Sequence, residues 1–249
     1  MKQRPRIGLL LAVSLILVPL WAWGGEPLAI NTFGRPPLAR PDGAGLHDRI
    51  AEEAFRRLGI KISMHRLPAE RALMMVNEGF DDGDLPRVKG LSLLYPNIVR
   101  VPEKVVDYDF VAFSRSRDIL IDGWESLSDH SVAIITGWKI LEKNLATVRE
   151  LVRVRHPEQL FELLNLGRVE VVVYERWQGL YMIRDLGFTE VHALSPPLAS
   201  REMFLYLHKR HRSLVPKVTS VLQDMRREGW IQELSQKVLA PYVREESAP

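Results

Sequence analysis

Leu67-Pro-Ala-Glu-Arg-Ala-Leu-Met-Met-Val-Asn-Glu-Gly79 runs on into Phe80-Asp-Asp-Gly-Asp-Leu-Pro-Arg87, and Arg155-His-Pro-Glu-Gln-Leu-Phe-Glu-Leu-Leu-Asn-Leu-Gly167 runs on into Arg168-Val-Glu-Val-Val-Val-Tyr-Glu175. At one fixed offset Glu70 matches Glu158, Asn77 matches Asn165, Gly79 matches Gly167, and Asp82 matches the acid Glu170. Each stretch reads as a short amphipathic helix, an Asn-x-Gly stop, and a strand with an acid near its start. At the end of the shared register the cation Arg87 falls opposite the anion Glu175. Two similar halves, each presenting one charge of opposite sign, make a clamp for a small dipolar ligand.

Working outward to the N-terminus, Lys2, Arg4 and Arg6 form a basic region ahead of Ile7–Trp23, 17 residues without a charge. Ala22-Trp-Gly24 then places small residues at the −3 and −1 positions of a cleavage site, so residues 1–24 read as a secretory signal peptide. An uncleaved anchor is the rival reading, but the run is at the lower limit for spanning and Pro19 interrupts it. The expected compartment is the periplasm.

Removing the leader removes the apparent basicity. The chain carries 34 Lys+Arg against 31 Asp+Glu, and without the three leader cations the counts are 31 and 31. No cationic excess is left to drive phosphate binding, which argues against a nucleic-acid partner. The chain has no cysteine, which excludes a thiolate metal site, a cysteine nucleophile and a lipid-modified cysteine anchor. The seven histidines are scattered, and only His208 and His211 have close spacing, within a Lys-Arg-rich stretch that reads as a solvated turn. No metal or cofactor site is expected.

The remaining elements follow from periodicity. Leu28–Thr32 reads as a strand, Leu46–Leu58 as a helix ending at Gly59, and Lys61–Leu67 as a second strand before the first repeat. Val105–Phe113 is strand-like and leads into polar Ser114–Asp118, where a first crossing between lobes is placed. Ser131–Ile135 and Leu151–Val154 read as strands around a helix opening at Gly137–Lys139; then come the second repeat, a helix over Arg176–Leu186 and a strand over Glu190–Leu194. Ser195–Leu198 marks the return crossing, Met203–His208 a strand, and two helices near Ser213–Arg227 and Trp230–Val238 close the chain. The expectation is an α/β protein of two lobes, each a mixed sheet flanked by helices, joined by two crossover strands. Its parts are residues 25–114 and 198–249 for the first lobe and 115–197 for the second.

This order of elements, together with the Pro36-Pro37 loop, Gly45–Gly59, the helix ending at Gly79, Ser131–Gly137, Gly167–Glu175 and the closing Met225–Leu234, resembles the bacterial extracellular solute-binding proteins of family 3. These are polar amino-acid-type periplasmic binding proteins with the type II fold, and the resemblance covers essentially the whole chain after the leader. It implies a ligand-stacking aromatic or cation before the Pro-Pro pair (Phe33, Arg35) and a carboxylate-binding arginine after the third strand (Arg87). It implies ligand contacts at the helix start after Ser131–Ile135 (Gly137, Trp138), an ammonium-binding acid after the fifth strand (Glu175), and a cleft position at Arg71; Trp177, like Trp138, begins a helix after a strand, where open α/β sheets bind ligands. The spacing to Arg87 is shorter than the family pattern, no Thr precedes it, and Glu175 stands where the family mostly has Asp.

The chemistry suits those roles, because an arginine fork matches a carboxylate and a carboxylate matches an ammonium once water is excluded. Blander readings stand beside them. Arg87 close to Lys89 also reads as a loop cation, Glu175-Arg176 as a pair at a helix start, Arg71 as an exposed first-turn residue, and Trp138 and Trp177 as packing residues. The expected function is capture of a small polar or zwitterionic, amino-acid-like solute by a monomer that performs no chemistry and serves an inner-membrane ABC permease or a sensor. The alternatives are a periplasmic enzyme on the same fold, of the cyclohexadienyl dehydratase kind, and a receptor-like module that binds a partner protein. The enzyme reading lacks a second catalytic group held to Glu175 or Glu70.

Overall fold

A computed structural model describes residues 26–243; the expected leader over residues 1–24 lies outside the described residues. Two parallel trios of strands dominate. In the first, β1 (Leu28–Thr32) lies between β2 (Ile62–Arg66) and β3 (Gly83–Arg87); in the second, β5 (Ser131–Ile135) lies between β6 (Glu150–Val154) and β7 (Val171–Glu175). Between them run two long antiparallel strands, β4 (Ile98–Ser114) and β9 (Ala199–His208), so that all belong to one mixed sheet ordered β2-β1-β3-β9-β4-β7-β5-β6. A two-residue strand β8 (His192–Ala193) pairs with the end of β4. The crossover strands are therefore hydrogen-bonded to each other, and the two expected sheets are continuous through them.

The repeated stretches are one unit built twice. Helices α2 (Ala69–Asn77) and α4 (Pro157–Asn165) both end with a glycine at positive φ, Gly79 at 78° and Gly167 at 66°. In both, the glycine N–H donates to the carbonyl three residues back (Val76, Leu164), and the next N–H donates five back (Phe80 to Met75, Arg168 to Leu163). That is the left-handed helix stop, which glycine adopts without the Cβ clash. The acid that follows is used identically. Asp82 donates its N–H to the Ala29 carbonyl and accepts the Ala29 N–H, while Glu170 does the same with Ser131. Each acid so fixes where the central strand of its trio begins.

Alternation explains why the second trio reads as a continuous apolar run. Val171 and Val173 of β7, with Val132 and Ile134 of β5, enter the main core, whereas Val172, Tyr174, Ala133 and Ile135 face a second cluster with Phe113 and Phe161. Both faces are covered, so neither needs polar residues. Helices α1 (Leu46–Arg57), α6 (Val215–Arg227) and α7 (Trp230–Leu239) pack on the main core, and α5 (Arg176–Asp185) covers the second cluster.

Element positions follow the sequence expectation except in the long strands. β4 begins at Ile98 rather than Val105 because Pro102 falls where its pairing with β9 shifts register, between Arg100↔Tyr206 and Lys104↔Phe204. A proline that cannot donate a ladder hydrogen bond is tolerated at such an irregularity. The stretch expected to be a solvated turn at His208–Arg212 is mostly a 3-10 helix, Lys209–Leu214, whose Arg210 and His211 side chains hold Asp82.

At Gly179 in α5 a Cβ would lie within 3.0 Å of three atoms of the Phe113 ring. Gly179→Ala is therefore expected to lower stability by about 1–3 kcal/mol through overpacking, although alanine is the better helix former. Urea unfolding of the two proteins measures this, and a stabilised variant contradicts the packing.

Candidate functional site

The two trios end at equivalent points, β3 at Arg87 and β7 at Glu175. Arg87 is 7 % exposed and is held on three sides. Its Nε donates to Asp84 Oδ2 at 2.5 Å, Nη2 donates to the Ala69 carbonyl, and the guanidinium lies 4.4 Å over the Phe33 ring. Asp84 is fully buried, and burial raises its carboxyl above the usual range even though Arg87 pulls it down. No hydrogen bond among the described residues uses Arg87 Nη1.

Glu175 is fully buried and caps α5, accepting from Trp177 N at 3.2 Å and Gln178 N at 2.9 Å. The Gln178 side chain donates to the same carboxylate at 3.3 Å. Helix N–H groups favour the charged form, but burial is stronger and pushes the Glu175 carboxyl up to about 7. The residue thus needs a partner to stay ionised without cost.

Both charges act on Tyr108 of β4, which pairs with Arg201 of β9 two residues before Phe110, the residue where β7 joins the other edge of β4. It is 3 % exposed and its hydroxyl has no hydrogen-bond partner. Burial first, then the negative charge of Glu175, pushes its ionisation well up, with Arg87 opposing. The His47 ring stacks on Tyr108 at 5.7 Å with both nitrogens unpartnered, and burial holds it neutral, its pKa pushed down to about 3.

The mouth of this seam is bridged. Arg35 Nη1 reaches Glu158 of α4 at 2.5 Å and Nη2 reaches its other oxygen at 3.3 Å, while Arg35 N donates to Gln178 Oε1 at 2.9 Å. A Cβ on Gly34 would lie 3.5 Å from Gln178 and 3.7 Å from the Tyr108 hydroxyl, so this loop covers both.

Of the eight residues singled out from the sequence, Phe33, Arg35 and Arg87 come from the first half and Glu175 and Trp177 from the second, around one seam. Trp177 is half-buried against the main core. Trp138 stacks on Tyr174 at 4.8 Å and packs edge-on to Phe110, and the Gly137 N–H is taken by the Glu142 carboxylate at 2.7 Å. The helix they open, α3 (Lys139–Asn144), has six residues. Arg71 is exposed and lines an open depression of about 440 Å³ with Glu70, Met74 and Phe80. A second depression, of about 670 Å³, lies beside Ser114 and Glu170, and neither includes Arg87 or Glu175. Buried paired charges and an unpartnered hydroxyl mark the seam more strongly than surface concavity does.

Sequence reasoning missed Asp84, Tyr108, Gln178 and Glu158. Asp84 lies three residues before Arg87, and Glu175-x-x-Gln178 is the spacing of a capping box, so two of them carried a signal. Tyr108 carried none, because its position is set by where two strands cross.

No known protein-family profile matches this chain. It is 25% identical over 203 residues to an uncharacterized protein of Shewanella oneidensis, a match covering 78% of this chain and 75% of the relative. Among solved structures, the GluR0 ligand-binding core in complex with L-glutamate superposes with a TM-score of 0.76 at 14% identity, covering 86% of this chain and 99% of the other. A histidine kinase sensor domain with similarity to periplasmic binding proteins gives 0.70 at 17% identity, covering 86% and 96%. A mutant of ArgBP from T. maritima gives 0.68 at 18% identity, covering 86% and 95%. At these identities the likeness is one of fold, and the fold is the two-lobed one of periplasmic binding proteins.

The raised Glu175 carboxyl has a consequence for stability. A folded-state value of about 7, above the ordinary 4.5, means stability present below pH 4.5 is lost as pH rises towards 7. Glu175→Gln lacks that loss, so between pH 5 and pH 8 the variant should gain on the wild type by about 2–3 kcal/mol. Urea titrations of both proteins at the two pH values read the difference, in which the His47 contribution cancels.

Proposed function

We propose that this chain is a periplasmic solute-binding protein that closes two lobes on a small polar, amino-acid-like ligand and performs no chemistry of its own. The observation that carries this reading is the seam itself. Equivalent strand ends from the two repeats carry one buried cation, Arg87, and one buried carboxyl, Glu175, and both act on the buried Tyr108, which supports a site shared by the two halves. Solved structures of this fold include proteins in complex with L-glutamate and the substrate-binding protein of an amino acid ABC transporter, which supports a solute of that kind. Delivery would be to an inner-membrane ABC permease or, as the sensor-domain likeness suggests, to a signalling partner.

We take residues 25–114 with 198–249 as one lobe and 115–197 as the other, moving about the β4–β9 ladder near Tyr108. Opening separates Arg35 from Glu158 and exposes Arg87, Tyr108 and Glu175 together. Hinge closure of this kind recurs where a ligand sits between two halves.

A second reading is favoured by one observation, the contact of Arg35 and Gln178 across the mouth, with Arg87 paired to Asp84 and Glu175 hydrogen-bonded to the start of α5. A module that binds a protein rather than a solute fits a seam filled in this way.

Isothermal titration of the purified protein against amino acids, organic acids and amines separates the two. The expected outcome is a single saturable site for one solute class, with scattering showing compaction on binding. Glu175→Ala should weaken that binding by about 2–5 kcal/mol, the range for removing a desolvated charge partner. Arg87→Ala is a poorer probe, since it breaks the buried pair with Asp84 and should cost about 3–5 kcal/mol of folding stability. A folded protein that binds none of the panel supports the protein-binding reading.

A further inference from the structure

The charges at the seam do not balance within the protein. Arg87 is matched by Asp84, Arg35 by Glu158, and Arg176 by Asp109 at 3.5 Å. Glu175, fully buried, forms no ion pair among the described residues. Its compensation is the N-terminus of α5 and the Gln178 amide, and a helix terminus supplies only about half a unit charge. A second group nearby is also unsatisfied. The Tyr108 hydroxyl is buried without a hydrogen-bond partner and lies within the field of Glu175. A phenol oxygen beside a carboxylate adds acceptor capacity for N–H donors.

An anionic solute fits this arrangement poorly. It would leave Glu175 unmatched in a dry site, and it would compete with Asp84 for Arg87, whose Nε and Nη2 are already engaged. Removing a charge from water is costly unless a partner receives it. A solute bringing one positive charge corrects the imbalance directly.

Resting on the solute-binding reading above, we propose that the solute is a cation, an amine or guanidinium, recognised by Glu175 and Tyr108, and that a carboxylate on it is dispensable. Asp84 is what makes the carboxylate dispensable, because it already pairs with the arginine that would bind one and leaves only Nη1 without a hydrogen bond.

Calorimetry with matched compounds tests this: cadaverine against lysine, agmatine against arginine, and glutarate as the acid without an amine. The expected result is that at least one amine binds within tenfold of its parent amino acid, while glutarate does not bind. Glu175→Gln should weaken amine binding by thirtyfold or more. Asp84→Asn, which frees Arg87, should shift preference towards the carboxylate-bearing parent by tenfold or more. If Glu175→Gln does not fold by circular dichroism, Tyr108→Phe takes its place, with at least fivefold weaker amine binding expected and unchanged binding counting against the proposal. Binding of the parent amino acids or glutarate without the amines overturns the inference and leaves solute binding standing. Absence of binding by every compound, the wider panel included, overturns both.

Discussion

Because β4 and β9 hydrogen-bond to each other from Ile98↔His208 through to Phe110↔Ala199, the two parallel trios hang from one antiparallel ladder. That ladder is the constraint on which the remaining architecture depends. It places β3 against β9 on one side and β7 against β4 on the other, so the ends of β3 and β7 lie across the same pair of strands. A residue in the ladder two positions before β7 joins it, Tyr108, then feels the charges at both ends without belonging to either repeat. The same strands also set how the halves can move, since two continuous strands bend and twist more readily than they separate.

The polar groups at the seam follow from that placement. β-strands that end at a crossing must hand their last residues to a helix or loop, and the first N–H groups of that helix lack intrahelical acceptors. In the second half Glu175 fills this need for α5. In the first half the corresponding end carries Arg87, and the carbonyl it meets is Ala69, the first residue of α2. One repeat unit therefore accommodates opposite charges through two local devices, a helix cap and a strand-internal Asp84–Arg87 pair. The unequal result is that Arg87 is neutralised by a side chain, whereas Glu175 faces only dipoles.

Much of the fold was legible because both faces of the second trio are buried. Short unbroken runs such as Val171-Val-Val-Tyr174 and Val132-Ala-Ile-Ile135 have the length and β-branched content of strands covered on both sides. The repeat was legible for a different reason. Gly79 and Gly167 adopt positive φ, and Asp82 and Glu170 accept an N–H near the start of a central strand, from Ala29 and Ser131, so those positions tolerate few residue types. The long strands were less legible because Pro102 and the charged residues around it break alternation at a register shift. At the seam, Arg87, Glu175, Phe33 and Arg35 stood out by position in the repeat and by family resemblance. Tyr108 did not, since what gives it meaning is groups distant in sequence, and Asp84, although only three residues from Arg87, stood in no position that the repeat or the resemblance marks.

The bridge between Arg35 and Glu158 bears on whether the protein closes by itself. Both side chains remain about two-fifths exposed, at 39% and 40%, so their attraction is strongly screened. Exposed pairs of this kind contribute about 0–1 kcal/mol even with good geometry. Against that, Glu175 and Tyr108 are buried with incomplete partners in this arrangement, each opposing it by more than the bridge returns. A closed state maintained by the bridge alone would be only marginally favoured. On the proposed solute-binding reading, the energy for firm closure would come from whatever satisfies the buried groups, which would couple the shape of the protein to occupancy of the seam. The exposed bridge then has a narrower role, which is to align the two halves as they meet.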